Sequence, residues 1–301
     1  MTKPERKIVG LIPSINVERV RQARSWIETL SNHGVSSYVI ANSQSVACIG
    51  SVDGFRVIDT GANPGFARSI VGAISSLDQW DWLLILNDDL DLDEDAATAM
   101  VAAIYDAENQ QEGLVMFDPG PLRPIPAARE VFASISLLAE VVNRLSQVRG
   151  ARGFVPSLDR PAYKSFSAVA ISRSAWVRAG GLDTKYIFCY EDAAFTSSYI
   201  SSSGKLPLVV DVGAQHGHSV STKSHISRVL PVVAHSARTY LMSEGRSRAV
   251  ASTIVCAGLA LRTLLAMFAS ADRFEHLKGI GRSFVAVLGH REPALPAYSD
   301  L

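Results

Sequence analysis

Read for the spacing of its apolar positions, the first half of the chain alternates short β-like runs with helical ones, the pattern of a parallel sheet covered by helices. Lys7–Ile12 reads as a first strand. Asn16 is placed to cap a helix whose apolar stripe is Val17, Val20, Ala23, Ile27 and Leu30, ending at Gly34. Ser37–Ala41 and Phe55–Ile58 predict two further strands. Asn63-Pro64 reads as an N-cap and first-turn proline, opening a helix through Leu77. Trp82–Leu86 is wholly apolar, as a central strand buried on both faces should be. A helix over Glu94–Glu108 and a strand at Gly113–Phe117 follow. Four prolines between Asp118 and Pro126 predict a loop, Ala127–Val148 a helix, and Arg149–Lys164 an irregular basic connection. A second set of helical and strand runs covers Phe166–Val212, including an apolar strand at Leu206–Val210, and His225–Gly289 reads as two or three helices. The expected organisation is an α/β sheet domain over residues 1–222 and a helical C-terminal extension over 223–301.

Composition narrows the classes. The chain has 301 residues, 48% hydrophobic and 19% charged, with 29 basic and 29 acidic side chains, so disorder is excluded and a generalised nucleic-acid binder is not indicated. Cys48, Cys189 and Cys256 are far apart and form no CxxC pair, which fits a reducing, cytoplasmic compartment better than a disulfide framework. The basic N-terminus carries an apolar run of only strand length, not a secretory signal. Ala249–Ser270 approaches bilayer-spanning length but contains Arg262; it is read as a buried helix ahead of an interfacial helix or a span.

The chemistry concentrates in three segments. Asn87–Asp95, directly after the buried strand, holds six acids in nine positions. In open α/β sheets ligands bind outside the carboxyl ends of strands, where Asn87, Asp88 and Asp89 fall. Two carboxylates about 4 Å apart repel by up to ~4 kcal/mol at an effective dielectric near 20, and a hard divalent cation removes that repulsion. Asp89 is therefore the candidate ligand for Mn²⁺ or Mg²⁺, whereas Asp93, Glu94 and Asp95 suit the start of the next helix. In Gly180–Asp192 two glycines and an aromatic run precede Glu191-Asp192, which are either helix-start acids or a desolvated general base. In Asp211–Ser221, His216 and His218 are two apart, so at most one is expected to reach a metal, with His216 preferred.

Taken in order, these segments resemble the inverting nucleotide-sugar glycosyltransferases of the large family two, which have the GT-A fold. The resemblance runs from Lys7 to Ser221. Pro13, Ser14 and Asn16 look like the first nucleotide-binding loop, and Asn63-Pro64-Gly65-Phe66 resembles an Asn-x-Gly-Phe element. LILNDD resembles the metal motif, and the block ending in GGLDTKYIFCYED resembles the acceptor site. Rhamnosyl- and galactofuranosyltransferase-like members are the nearest in pattern. The resemblance implies a UDP- or dTDP-linked donor bound by Pro13, Ser14, Asn16, Asn42, Asn63, Gly65, Asn87 and Asp88. It further implies a metal at Asp89 and His216, Asp192 as catalytic base with Glu191 beside it, and a glycan or lipid-linked acceptor. The sequence departs from the family where an aspartate usually follows the second strand: Ala41-Asn42 stand there, so either Asn42 contacts the base or the base is held differently.

Other readings fare less well. A dinucleotide-dependent dehydrogenase would need GxGxxG where the chain has GLIPSIN. An aspartyl phosphatase could use Asp89-Leu90-Asp91 but leaves the GGLD…YED block unexplained, and a non-catalytic sugar-nucleotide sensor is the rival from another class. The extension carries Arg246, Arg248, Arg262, Arg273, Lys278, Arg282 and Arg291 among apolar runs. That mixture suits an amphipathic bundle, a homodimer interface through these helices, or peripheral contact with the inner face of the plasma membrane.

Overall fold

A computed structural model describes residues 6–138, 141–142, 160–216, 226–269, 273–289 and 292–297. The expected α/β sheet with a helical C-terminal extension is what is found. A seven-stranded sheet runs in the order β10-β6-β9-β4-β1-β2-β3. Its strands are β1 (Ile8–Ser14), β2 (Val35–Ala41), β3 (Val57–Asp59), β4 (Trp82–Leu86), β6 (Leu114–Met116), β9 (Ala168–Ser172) and β10 (Leu208–Val209). β1 pairs parallel with β2 and β4, β2 with β3, and β6 with β10, whereas β9 runs antiparallel between β4 and β6. Two small antiparallel pairs stand outside the sheet: β5 (Leu90–Asp91) with β11 (Gln215–His216), and β7 (Arg123–Pro124) with β8 (Ala162–Tyr163). β4 is buried along its whole length, as its unbroken apolar sequence requires.

Several predicted boundaries shift. The helix after β1 is two helices, α1 (Val17–Gln22) and α2 (Arg24–Asn32), meeting at Ala23. Asn16 does cap α1: its side-chain oxygen accepts from the backbone N–H groups of Glu18 and Arg19. Two short helices, α3 (Gln44–Ala47) and α4 (Ile49–Asp53), lead into β3. The next helix, α5 (Phe66–Ser75), starts later than Asn63-Pro64 predicts, because Gly65 is its N-cap at φ 97°. Asp93 caps α6 (Glu94–Asn109), which confirms the helix-start reading of the later acids. α7 (Ala128–Ser136) stops at Leu137, whose φ of 63° breaks the expected longer helix; the remainder of that stretch, from residue 143, lies outside the described residues.

α8 (Arg173–Ala179) and α9 (Glu191–Ser203) complete the sheet region. The extension folds as three helices, α10 (Ile226–Ser243), α11 (Arg248–Ala269) and α12 (Arg273–Leu288). They share a core with one face of the sheet: Leu230, Tyr240, Val255 and Leu259 belong to the same buried cluster as Leu83, Ile85, Val169, Tyr186 and Tyr190. The other face is covered by α2 and α6, through Trp26, Leu30, Met100 and Ile104. α11 is only partly the buried helix expected: about a third of its apolar stretch Arg248–Ala266 is buried, and by length and composition alone it could cross a membrane.

Candidate functional site

A cleft of about 780 Å³ opens at the carboxyl ends of β1, β2 and β4. That is the end where strand-to-helix loops leave an open sheet and where ligands bind in such folds. Eight of the residues singled out from sequence line it: Pro13, Ser14, Asn42, Asn63, Gly65, Asn87, Asp88 and Asp89. They arrive from four separate segments, brought together by the parallel pairing of β4, β1 and β2. Asn16 does not line it, its carboxamide being engaged as the cap of α1. That cap sets the start of the helix that carries Arg19 to the cleft wall.

At the end of β4 the Ser14 hydroxyl donates to Asp88 Oδ2 at 2.5 Å. One guanidinium nitrogen of Arg19 lies 3.6 Å from Asp88 Oδ1 and 3.7 Å from Asp89 Oδ2. Burial pushes the Asp88 carboxyl up to about 6, against the opposing pull of Ser14 and Arg19. The sequence reading missed Arg19; its place three residues after the Asn16 cap, one helical turn into α1, was the available signal. The strand Gln215–His216 pairs with β5 so that His216 stands opposite Leu90, one residue beyond Asp89. The His216 side chain and the whole of His218 lie outside the description. Among the described residues no three His, Cys, Asp or Glu side chains form a ready metal cluster. In donor chemistry, Asp88, Asp89 and the Ser14 hydroxyl are hard oxygens of the kind that magnesium and manganese prefer, so the residues fit the expected ion.

Asn42 is buried at the end of β2, its backbone N–H donating to the Ser14 carbonyl at 2.9 Å. The Thr60 hydroxyl lies 3.2 Å from its side-chain oxygen. Ala41 is fully buried beside it, so of this pair only Asn42 faces the cleft. Gly65 is there for a different reason from the one its motif suggests. A Cβ on it would fall 1.9 Å from the carbonyl oxygen of Ile187, and the next N–H, that of Phe66, donates to that same oxygen at 3.1 Å. Only glycine permits this approach. The contact locks the Asn-Pro-Gly-Phe turn onto the aromatic run that precedes Glu191-Asp192. Asn63 is likewise a clasp: its amide donates to the Pro296 carbonyl at 3.1 Å, holding the C-terminal segment where Leu295 and Pro296 line the cleft.

Phe188 and Cys189 form part of the cleft wall; Glu191 and Asp192 follow directly as the first residues of α9 but, unlike the eight residues above, do not themselves line the cleft. The backbone there is strained: Cys189 and Tyr190 are consecutive non-glycine residues at φ 67° and 72°. Tyr190 stacks on Tyr240 of α10, ring centroids 5.2 Å apart, and the Tyr240 hydroxyl donates to the Pro126 carbonyl at 3.0 Å. Tyr186 lies 2.9 Å from the Ser243 hydroxyl. Glu191 is only 8% exposed, and its Oε2 has no hydrogen-bond partner. Burial first, then the Asp192 charge, pushes its carboxyl up to about 8. Asp192 is half-buried and accepts from the Ala193 N–H at 2.7 Å. Burial lifts it to about 6, against the opposing field of Arg123, a cleft-lining cation absent from the sequence reading. Burial therefore raises both carboxyls of the pair, so that together they keep a proton to higher pH than two solvated carboxyls would.

A second cleft, about 470 Å³, lies at the opposite end of the sheet, by Arg6, Asp81 and Trp82. Its charges are largely satisfied, with Arg6 on Glu108 at 2.7 Å and Lys205 on Glu112 at 3.2 Å.

Strand order, the antiparallel β9 and the cleft at the carboxyl ends together define a GT-A-like α/β fold. No family model and no curated protein matches the chain. Among solved structures it is similar to S. aureus TarS residues 1–349, at 9% identity and TM-score 0.42 over 94% of this chain and 81% of that one. A Bacillus anthracis protein assigned as a glucose-1-phosphate thymidylyltransferase, in complex with sucrose, is similar at 11% identity and TM-score 0.43, over 72% of this chain and 93% of that one. A CMP:2-keto-3-deoxy-manno-octonic acid synthetase complexed with CTP is similar at 13% and 0.38, over 74% and 96%. At such scores these likenesses carry no weight for function, which has to be read from the cleft.

Proposed function

We propose that the protein is an inverting glycosyltransferase that moves a sugar from a UDP- or dTDP-linked donor to a hydroxyl of a glycan or lipid-linked acceptor. The observation that carries this reading is the convergence on one cleft of the β1, β2 and β4 loops, with the buried acid pair Glu191-Asp192 two residues beyond its wall residue Cys189. Pro13, Ser14 and Asn42 receive the nucleoside. Asp88, held by Ser14, and Asn87 lie next along the cleft, and Arg19 adds positive charge beside the diphosphate. Asp89, with His216, would hold Mn²⁺ or Mg²⁺, which when bound supplies Lewis-acid stabilisation of the departing diphosphate. Asp192 takes the proton of the acceptor hydroxyl as its oxygen bonds to the anomeric carbon and the bond to the diphosphate breaks. Glu191, whose burial favours its protonated form, acts as a hydrogen-bond donor rather than a second base.

A non-catalytic sugar-nucleotide-binding protein is the second reading, favoured by the buried Ala41 where the family usually has an aspartate. The two separate on incubation of the purified protein with UDP- and dTDP-sugars and manganese. Slow donor hydrolysis that chelator abolishes and Asp89→Ala removes supports the enzyme. Metal-independent binding with no turnover for any donor overturns it in favour of the sensor.

A further inference from the structure

The C-terminal helices turn a face outward that the cleft does not use. On α12 the inner side packs tightly on α10: a Cβ on Gly279 would lie 3.0 Å from the Ser227 Cα, and Ile280, Ser283 and Val287 are buried. The opposite side is also apolar. Phe274, Leu277, Gly281, Val285 and Leu288 recur at helical spacing, and the four side chains are 88%, 37%, 72% and 64% exposed. At about 100° per residue they fall within one narrow stripe. Arg273 flanks the stripe on one side and Lys278 and Arg282 flank it on the other, all exposed; Glu275 pairs with Lys278 at 3.4 Å, and the flanks remain net positive.

α11 packs beside α12 and repeats the arrangement, with Val250, Ala257, Ala260 and Leu264 exposed at helical spacing. Arg262, the charge inside its apolar stretch, turns inward instead and donates to the Ile135 carbonyl at 3.1 Å. The inner side of α11 is committed to the core: Ala251, Val255, Leu259 and Ala266 are buried, and a Cβ on Gly258 would lie 3.1 Å from Ile135. A helix pinned in this way lies on a surface and does not cross it.

We propose that the outer face of α11 and α12 docks on an anionic lipid surface. Charge decides the partner. A two-fold interface would set the stripe against its own copy and bring Arg273, Lys278 and Arg282 near the same cations of the second chain. Anionic headgroups complement the flanks while the stripe enters the acyl boundary. The inference does not depend on the reading of the cleft, although α10, which packs on α12 and carries the cleft-lining Val229, would bring a lipid-linked acceptor close to the site.

The test is flotation of the full chain with phosphatidylcholine vesicles, with and without phosphatidylserine, at low and physiological salt. Binding is expected only with phosphatidylserine, weakening as salt rises. Lys278→Gln with Arg282→Gln should lower partitioning about thirtyfold, at one basic side chain's ordinary contribution each. Phe274→Ser with Leu288→Ser should abolish it, with an unchanged melting temperature because both side chains are exposed. No binding to the anionic vesicles at low salt overturns the proposal. So does a concentration-dependent dimer that the serine pair dissolves in a protein that leaves vesicles untouched.

Discussion

Replacing Glu191 with glutamine isolates what this site subtracts from the fold. The carboxyl is carried from its ordinary 4.5 to about 8 by burial and by Asp192. An acid whose affinity for a proton is raised by folding stabilises the native state most below its unfolded value. It loses that contribution as pH climbs to the folded value. The window for Glu191 thus runs from about 4.5 to about 8, and that for Asp192 from 3.8 to about 6. At about 1.4 kcal/mol per tenfold in proton affinity, an ionised Glu191 costs the native state on the order of 4 kcal/mol by pH 9. The wild type should lose stability in two overlapping stages between pH 4 and 9, and Glu191→Gln should lack the upper one. Glutamine buries an amide in the same unpartnered place, so the two proteins should be similar near pH 5, where Glu191 is protonated. Above pH 8 the variant should melt higher by on the order of 8 °C, at about 2 °C per kcal/mol for a chain of this size. Thermal melts by circular dichroism from pH 4.5 to 9 provide the measurement. Parallel curves for the two proteins between pH 6 and 9 would refute the buried, proton-holding Glu191 on which the division of labour with Asp192 rests.

Other consequences are as direct. Asp192→Asn should keep donor affinity and melt no lower than wild type, since an asparagine oxygen can accept the same Ala193 N–H bond and carries no buried charge, while sugar transfer falls by about 10²–10⁴-fold; transfer within a few-fold of wild type would make Asp192 a mere helix-start residue. In the wild type the transfer rate should rise with pH through about 6 as Asp192 ionises and fall above about 8 as Glu191 does, and a flat profile across both limits would remove the pair from catalysis. Gly65→Ala adds a Cβ against the Ile187 carbonyl at φ 97° and should destabilise by roughly 3 kcal/mol or more through backbone strain and overpacking. A melting temperature within a degree of wild type would show that the two loops can part. Asn63→Ala removes the clasp on Pro296 and should raise the rate at which protease cuts the C-terminal segment without moving the global melting temperature; unchanged cleavage would deny the clasp.

What sequence could reveal divides along the range of the interactions. The buried β4, the Asn16 cap and the acids placed after the strand are consequences of local pattern, and each is found where expected. The motif residues gather in one cleft because alternating strands and helices force a parallel order, and parallel order sends every loop of interest to one end. Gly65 was visible as a motif residue but not as the reason for the motif. Its constraint comes from Ile187, more than a hundred positions away, and that contact also moves the start of α5 past Asn63-Pro64. Arg19 and Arg123 were overlooked because a lone arginine on a helix or beside a proline is ordinary. Only the fold sets one against Asp88 and Asp89 and the other against Asp192.

The C-terminal helices, which read from sequence as an appendage, are better understood as the brace of the acid-bearing turn. Cys189 and Tyr190 both hold left-handed backbone, each at a cost of about 1–3 kcal/mol, immediately before two acids that repel each other out of water. Local help is limited to the helix N-terminus and the Ala193 N–H on Asp192. The compensation comes from α10, where Tyr240 stacks on Tyr190 and bonds to Pro126, and where Ser243 meets the Tyr186 hydroxyl. The Gly65 contact closes the other side. Strain and buried charge are therefore held at one point by two elements distant in sequence. Holding them there keeps both carboxyls buried, and that burial is what raises each above its ordinary range.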